Sequence, residues 1–478
     1  MHHNTQPTTP TWPQIRAAFQ QIWGYPDFRP PQDAIVRSLV TGQDTLVILP
    51  TGAGKSICFQ LPALLQQGLT LVVSPLVALM ENQVQELRQR HQPAAALHSD
   101  RPAPERRRVL QNLHRLRLLY LSPETLLTPK VWERLCQPDI LLNGLIIDEA
   151  HCLVQWGDFR PAYRRLGTVR PALQAAKPNA RFPVAAFTAT ADPATRKIIR
   201  QVLGLRSPQV VCLSPYRPNL HLNVTSAWTP QARRSRLQRF LADHTGQAGL
   251  VYVRTRRDSE AIRTWLQSRY RVAAYHAGVS SQQRRQIEAD WLENRLQFVV
   301  CTAAFGMGVN KPDCRWIVHF QAPLLLSEYL QEVGRAGRDG ERAEALTLVS
   351  DRWGWSDPQD QQRRQFFLRQ SAQQQREALA LASQLPVRGD LREVAASKLG
   401  ATALALLHGM GRLRWQDPFH YVILEPGQPQ AQMNPTTAAE QMQQYLYGRG
   451  CRWWAILKKF GFAEPPGAGC GHCDRCLR

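Results

Sequence analysis

Thr45-Leu46-Val47-Ile48-Leu49-Pro50-Thr51-Gly52-Ala53-Gly54-Lys55-Ser56 decides the fold. Five aliphatic and β-branched residues run without alternation into a loop with two glycines, and a helical pattern follows. Phosphate oxygens need several convergent backbone N–H groups, and glycines let the chain come close enough to supply them. Thr51, Gly52, Ala53 and Gly54 would form that cradle, Lys55 would reach the β- and γ-phosphates, and Ser56 would ligate Mg²⁺. The full pattern places a glycine five residues before Gly54, where this chain has Leu49. A buried strand feeding such a loop and then a helix is the opening unit of a parallel α/β sheet.

Outward from this point the same texture repeats. Short aliphatic runs at Thr70–Val73, Leu118–Leu121, Leu145–Ile147 and Pro183–Phe187 alternate with amphipathic stretches. Leu250–Val253, Val272–Tyr275, Phe298–Cys301 and Trp316–Phe320 continue the series. Nine or more such strands exceed one comfortable sheet, so two parallel-sheet domains are expected. Their break falls at the Pro-punctuated stretch Ser214-Pro215-Tyr216-Arg217-Pro218-Asn219.

A phosphate loop needs a carboxylate at the end of a neighbouring strand. Leu145-Ile146-Ile147 leads into Asp148-Glu149-Ala150-His151, so Asp148 would hold Mg²⁺ through water and Glu149 would act as general base. Charge building on the γ-phosphate needs cations. Gln331, Arg335 and Arg338 fall at i, i+4 and i+7, which predicts one face of a helix beginning near Ser327. An arginine finger is worth about 10³ to 10⁵ in rate. Carried by the second sheet, it places the nucleotide between the two domains.

Composition narrows the partner. The chain has 478 residues, enough for two to four domains; 44% are hydrophobic, which excludes global disorder. Fifty-nine Lys and Arg against 37 Asp and Glu give +22, an imbalance that favours a polyanion, nucleic acid above all. The longest nearly apolar run, Leu69 to Met80, is broken by Pro75, whereas a bilayer span needs about 20 residues. With a polar N-terminus as well, no membrane partner and a cytoplasmic location are expected, nucleoid-associated if the source is bacterial.

Beyond Asp351 the texture changes. Gln359–Gln384 reads as helical, and Asp390–Leu424 as helix, helix and short hairpin, the order of a small winged-helix module. Four cysteines, Cys451, Cys470, Cys473 and Cys476, follow at C-x18-C-x2-C-x2-C. Four thiolates satisfy tetrahedral Zn²⁺, with an iron–sulfur cluster as the rival. The other six cysteines are scattered singly and read as reduced core residues.

These strings, in this order, resemble a superfamily 2 helicase and, more narrowly, a RecQ-family DNA helicase, over about Trp23–Ser350 and again Gln441–Arg478. The resemblance implies that Gln32 reads the adenine edge with Arg29 assisting, and the family's own phosphate loop also lacks the leading glycine. It implies strand-contacting roles for Ser74-Pro75-Leu76 and Ser122-Pro123-Glu124, with Ser74, Pro75 and Pro123 as DNA-binding residues. Thr188-Ala189-Thr190 resembles the segment that couples nucleotide state to movement. His276, in Tyr275-His276-Ala277-Gly278, and Thr302, at the head of Thr302–Asp313, inherit DNA-binding roles.

The stretch most particular to the family is Cys152 to Tyr163. Trp156, Phe159 and Arg160 would sense DNA beside the carboxylates, since base stacking on an aromatic ring is worth about 1 to 3 kcal/mol and ignores sequence. The family usually carries a His between Gly157 and Asp158, so this loop is one residue short, and Val333 stands where Thr is common. The family's usual order places a winged helix after the zinc segment. Here the quoted sequence runs two residues past Cys476, and a short form lacking the usual C-terminal domains is expected.

The expected architecture is therefore two RecA-like domains, 1–213 binding ATP and 214–350, then a helical linker 351–389, a winged-helix-like module 390–426 making a DNA contact, and a zinc segment 427–478. The implied function is ATP-dependent 3′→5′ translocation on single-stranded DNA and unwinding of forked duplexes in recombination and repair, by a monomer with ATP, Mg²⁺ and structural Zn²⁺. A translocase that remodels protein–DNA complexes, or an RNA helicase of the same superfamily, is the alternative.

Overall fold

The computed structural model describes residues 10–155, 161–305, 309–351, 357–394, 398–425, 435–463, 467 and 469–477. It divides into two compact units, described separately. The first draws mainly on Met1–Leu49, Ala53–Leu213 and Gln373–Met433, and the second on Ser214–Ala372 and Asn434–Arg478.

The first unit contains β1 Thr45–Ile48, β2 Leu69–Val73, β3 Ala94–Leu97, β4 Leu118–Leu121, β5 Leu142–Ile147, β6 Val184–Thr188 and β7 Gln209–Cys212. They form one parallel sheet in the order β3-β4-β2-β5-β6-β1-β7. β1, β2 and β6 are buried along their whole length, which is why their sequences are unbroken apolar runs with helices covering both faces. One core lies on each side of the sheet, around Leu71, Leu119 and Ile147 on one face and Val47, Val72 and Phe187 on the other.

The second unit repeats the plan with β8 Leu220–Ser226, β9 Gly249–Tyr252, β10 Val272–Tyr275, β11 Phe298–Cys301, β12 Trp316–His319 and β13 Ala343–Val349. All are parallel, in the order β10-β11-β9-β12-β13-β8. The helix Pro435–Tyr447 and the cysteine-bearing segment share its core, where Met442, Tyr445 and Trp453 lie with Leu220 and Tyr329.

A third, antiparallel sheet of β14 Arg388–Asp390, β15 Leu413–Trp415 and β16 His420–Ile423, ordered β14-β16-β15, is packed within the first unit. The helices Leu391–Val394 and Lys398–Gly409 lie between its first two strands, and the long helix Gln359–Ala382 precedes it. The helix, helix and hairpin expected from sequence are present, but Arg388–Asp390 is a strand where a helical linker reaching 389 was expected. Three residues paired to β16 are too short for any periodicity to mark them. Among the described residues no helix is long and apolar enough to cross a membrane.

Asp44, immediately before β1, fixes where that strand begins. Its carboxylate accepts two bonds from Arg170 Nη1 (2.7 and 2.8 Å) and the backbone N–H of Val184 (2.8 Å) and of Arg206 (2.6 Å). Both side chains are buried. Removing one partner strands a buried charge, so Asp44→Ala should cost about 3 to 5 kcal/mol in denaturant unfolding. A loss under about 1 kcal/mol would mean the pair does not secure this strand.

Candidate functional site

In the first unit, the chemistry-bearing loops all leave carboxyl ends of parallel strands. After β1, Leu49 is fully buried and donates its N–H to Thr188 O (3.1 Å), so the position where a glycine is commoner serves here as core. Gly52 (φ +88°) and Gly54 (φ +75°) turn left-handed, a region that costs an L side chain about 1 to 2 kcal/mol. A Cβ at Gly54 would also collide with Gln32 Nε2. The loop opens directly into the helix Lys55–Leu65, whose free N-terminal amides suit an anion. Gln32 is buried; its Nε2 donates to Ala53 O (3.1 Å) and its Oε1 accepts from Arg29 N–H (3.0 Å), while the Arg29 side chain is exposed. Thr51, Ala53, Lys55 and Ser56 are half-buried.

At the end of β5, Asp148 N–H bonds to Val73 O (2.8 Å) and Asp148 Oδ1 accepts from Glu149 N–H (2.9 Å). Glu149 adopts φ +47°, a strained conformation for a non-glycine residue that aims its carboxylate back at Lys55 Nζ, 4.0 Å away. Burial, with the Glu149 charge alongside, pushes the Asp148 carboxyl up against the pull of Lys55. His151 Nδ1 lies 3.0 Å from Thr188 Oγ1 and 3.2 Å from Glu149 Oε2, which ties the acidic box to Thr188-Ala189-Thr190.

Ser74 and Pro123 are buried. Pro75 follows at the carboxyl end of β2. Trp156, Phe159 and Arg160 lie outside the described residues.

In the second unit, the helix carrying Gln331 runs only from Leu326 to Val333. Arg335 and Arg338 therefore do not continue its face, as the i, i+4, i+7 spacing predicts. Gly334 ends the helix and Gly337 (φ +56°) turns the chain left-handed. Arg335 is buried; Arg338 donates to Val309 O (3.0 Å) and Asn310 Oδ1 (2.9 Å), and burial beside Arg335 lowers its pKa to about 10. His276 lies after β10, bonded to Glu260 (3.0 Å), and Thr302 after β11.

The four cysteine sulfurs lie within 4.8 Å of one another. A tetrahedron of 2.3 Å bonds needs sulfurs about 3.8 Å apart, close to the Cys470–Cys476 and Cys473–Cys476 separations of 3.9 and 3.5 Å. The N–H groups of Arg452 and Cys470 point at the sulfurs of Cys473 and Cys451 (3.5 and 3.4 Å). The donor set is compatible with zinc.

Comparison with known proteins converges on one family. The DEAD/DEAH box helicase model matches residues 29–199 and the helicase conserved C-terminal domain model matches 232–340. The ATP-dependent DNA helicase RecQ of Synechocystis sp. is 51% identical over 97% of this chain and 98% of its own length. The chain belongs to the RecQ family of ATP-dependent DNA helicases. The probable ATP-dependent DNA helicase RecS of Bacillus subtilis is 40% identical over 70% of this chain, which spans 66% of that relative. RecQ of Pasteurella multocida is 40% identical over 68%, and there the chain spans half the relative's length. Among solved structures, the Mycobacterium smegmatis helicase Lhr bound to single-stranded DNA and AMP-PNP superposes with a TM-score of 0.57 at 24% identity, over 71% of this chain and 48% of that one. That likeness bears on the fold alone: two RecA-like units.

Within this RecQ frame the structure reveals supporting residues that no motif marks. Arg217 and Asn219, in the stretch read only as a break between domains, hold the arginine turn: Asn219 Nδ2 donates to Gly337 O (2.8 Å) and Arg217 donates to Gly334 O (3.4 Å) and to Gly337 O. Glu332 takes two bonds from Arg254 (3.1 and 2.8 Å) and one contact from His319 Nε2 (2.9 Å), all nearly out of solvent. No spacing marks these partners: Arg254 lies two residues past β9 and His319 ends β12. Although burial opposes it, the Arg254 guanidinium and His319 hold the Glu332 carboxyl down at about 2. Its depressed pKa stabilises the fold at every pH above the ordinary value near 4.5, and that contribution fades as pH falls towards 2. Glu332→Gln should therefore cost about 3 to 5 kcal/mol at pH 7, the gap narrowing below pH 4.5, and should lower kcat for ATP more than it raises KM. A gap that is flat down to pH 2, or a pure KM effect, would contradict this role.

Proposed function

We infer that this chain hydrolyses ATP to translocate 3′→5′ on single-stranded DNA and to unwind forked duplexes in recombination and repair. The observation that carries the reading is the strained Glu149 carboxylate held 4.0 Å from Lys55 at the mouth of a glycine-turned phosphate loop, in a RecQ-family chain. Thr51, Gly52, Ala53, Gly54, Lys55 and Ser56 bind the triphosphate, Gln32 and Arg29 hold the base, and Asp148 with Ser56 holds Mg²⁺, which when bound neutralises phosphate charge. Glu149 takes the proton of the attacking water, while Gln331, Arg335 and Arg338 stabilise charge on the γ-phosphate. His151 and Thr188 carry the change at Glu149 to the adjoining strand end.

DNA is held through the segments of Ser74, Pro75 and Pro123, through Trp156, Phe159 and Arg160, and through His276 and Thr302, with its phosphates drawn by the +22 charge. Cys451, Cys470, Cys473 and Cys476 hold a single structural Zn²⁺. Sulfur spacing this tight favours one ion over an iron–sulfur cluster, which spreads its thiolates over separate iron atoms. The chain then divides into motor domains 1–213 and 214–350, a linker 351–387, a winged-helix-like module from the strand at Arg388 to 426, and a zinc segment 427–478. A monomer acting in the cytoplasm on nucleoid DNA fits this composition.

A forked duplex with ATP and Mg²⁺ tests the reading. The parent should displace the strand, and Lys55→Ala should abolish hydrolysis while binding single-stranded DNA within about twofold. Strong hydrolysis by that variant would refute the phosphate-loop assignment. DNA-stimulated hydrolysis without displacement would favour the translocase that the one-residue-short loop allows. Cys473→Ser should lose zinc and melt lower together; unchanged zinc content would refute the ligand set.

A further inference from the structure

We propose that the inserted module 388–424 is a brace for the first motor unit, holding the 3₁₀ segment Pro161–Thr168 that follows residues 156–160, and not a reader of a DNA groove. The proposal rests on the reading of 156–160 as the DNA sensor.

In helix-turn-helix modules the second helix of the close pair enters the groove with polar and basic side chains. Here that helix is Lys398–Gly409, and its stretch from Leu399 to Gly409 contains no Arg, Lys, Asp or Glu. Ala403, Leu404, Ala405, Leu406 and Leu407 are consecutively buried, so the helix has no free face at its centre. Leu404 and Leu407 pack with Trp415 and Tyr421 of the module's own sheet, and Ala403 and Leu406 pack with Ala378 of the long helix. Along its remaining side lies Pro161–Thr168.

The hairpin tip points the same way. Asp417 Oδ1 accepts the N–H groups of Phe419 (2.7 Å) and His420 (2.9 Å), which sets the turn. So held, it offers Pro418 O to Arg165 Nη1 at 2.9 Å and lays Phe419 edge-on to Trp132, with ring centroids 5.6 Å apart at 80°. The Arg165 guanidinium lies 6.0 Å over the Trp415 ring. Arg165 belongs to the 3₁₀ segment, which also packs against Pro123–Leu126 and Cys152–Gln155. One short segment thus meets the inserted module, a strand-contacting motif and the helix that follows the acidic box. Fixing its position fixes the segment that follows residues 156–160 in the chain.

Full-length Phe419→Ala and Arg165→Gln test the brace. Losing an edge-on ring pair corresponds to about threefold to tenfold. DNA-stimulated kcat should fall by about that factor, basal hydrolysis and the KM for ATP should stay within about twofold, and Phe419→Leu should recover most of the loss. Amide exchange at Tyr163 and Leu166 should quicken by a similar factor in Phe419→Ala. Exposed Arg388 and Arg414, beside Val422 in the paired strands, give the opposite arm. If Arg388→Ala with Arg414→Ala weakens forked-DNA binding about tenfold while Phe419→Ala changes neither stimulation nor exchange, the module reads DNA and the brace is refuted. Trp156→Ala separates the two readings. Full DNA stimulation in that variant overturns the sensor and with it the coupling role, whereas slow exchange retained in Phe419→Ala overturns the brace.

Discussion

Strand polarity is the constraint on which the site depends. Because every ladder in the two large sheets is parallel, all carboxyl ends in a sheet share one edge, and the loops that leave them are brought together without designed long-range contacts. In the first unit, β1 delivers the phosphate loop, β5 the acidic box, β6 Thr188, β2 Ser74 and β4 Pro123. The strand order matters as much as the polarity. β6 lies between β5 and β1, so Thr188 accepts a backbone bond from the strand leading to the phosphate loop and meets the histidine following the acidic pair. A residue in that place touches both the strand leading to the phosphate loop and the histidine beside the acidic pair, so it links the two strand ends directly.

The second unit handles a harder electrostatic problem. Two guanidinium groups, Arg335 and Arg338, are carried on turns rather than a helix face, and turns need holding. Carbonyl oxygens at Gly334 and Gly337 accept from Arg217 and Asn219 on one side. One helical turn earlier, the buried Glu332 is clamped by Arg254, two residues past β9, and approached by His319 of β12. Taking such ions out of water costs several kcal/mol each, and good geometry only roughly offsets it. The contacts tie the end of the Leu326–Val333 helix to Arg254 and His319, just before the turn that carries the two arginines.

Much of this was legible in the residues. Thr45–Leu49, Leu118–Leu121 and Phe298–Cys301 announce themselves because strands covered on both faces need no polar residues. The phosphate loop, acidic box and cysteine knuckle announce themselves because their chemistry requires fixed spacing. Neither β3 nor β8 stands out by pattern: Ala94-Ala95-Ala96-Leu97 carries no β-branched residue, and the alternate positions of β8 are only half-buried, giving a period of two instead of a solid run. The arginine helix is shorter than its sequence suggests for a different reason: i, i+4, i+7 spacing survives whether or not Gly334 and Gly337 interrupt the helix. Arg217, Asn219 and Arg254 act through partners about 78 to 120 residues away, a separation that no local pattern encodes.

The two additions to the motor units solve one problem differently. Neither the cysteine segment nor the 388–424 module is large enough to bury a core of its own size class securely. The cysteine segment inserts Trp453 fully into the second unit, where its indole N–H reaches Leu220 O (3.1 Å), and gathers four thiolates that a single ion can cross-link. The module has no such cross-link among its described residues. Its small core of Leu404, Leu407, Trp415 and Tyr421 is instead continued outward by Ala378, by the Phe419–Trp132 pair and by Arg165. A module stabilised in this way cannot leave its host surface without exposing its own helix. Its attachment is therefore part of its fold, and any motion of Pro161–Thr168 during the motor's cycle has to be one that the module follows.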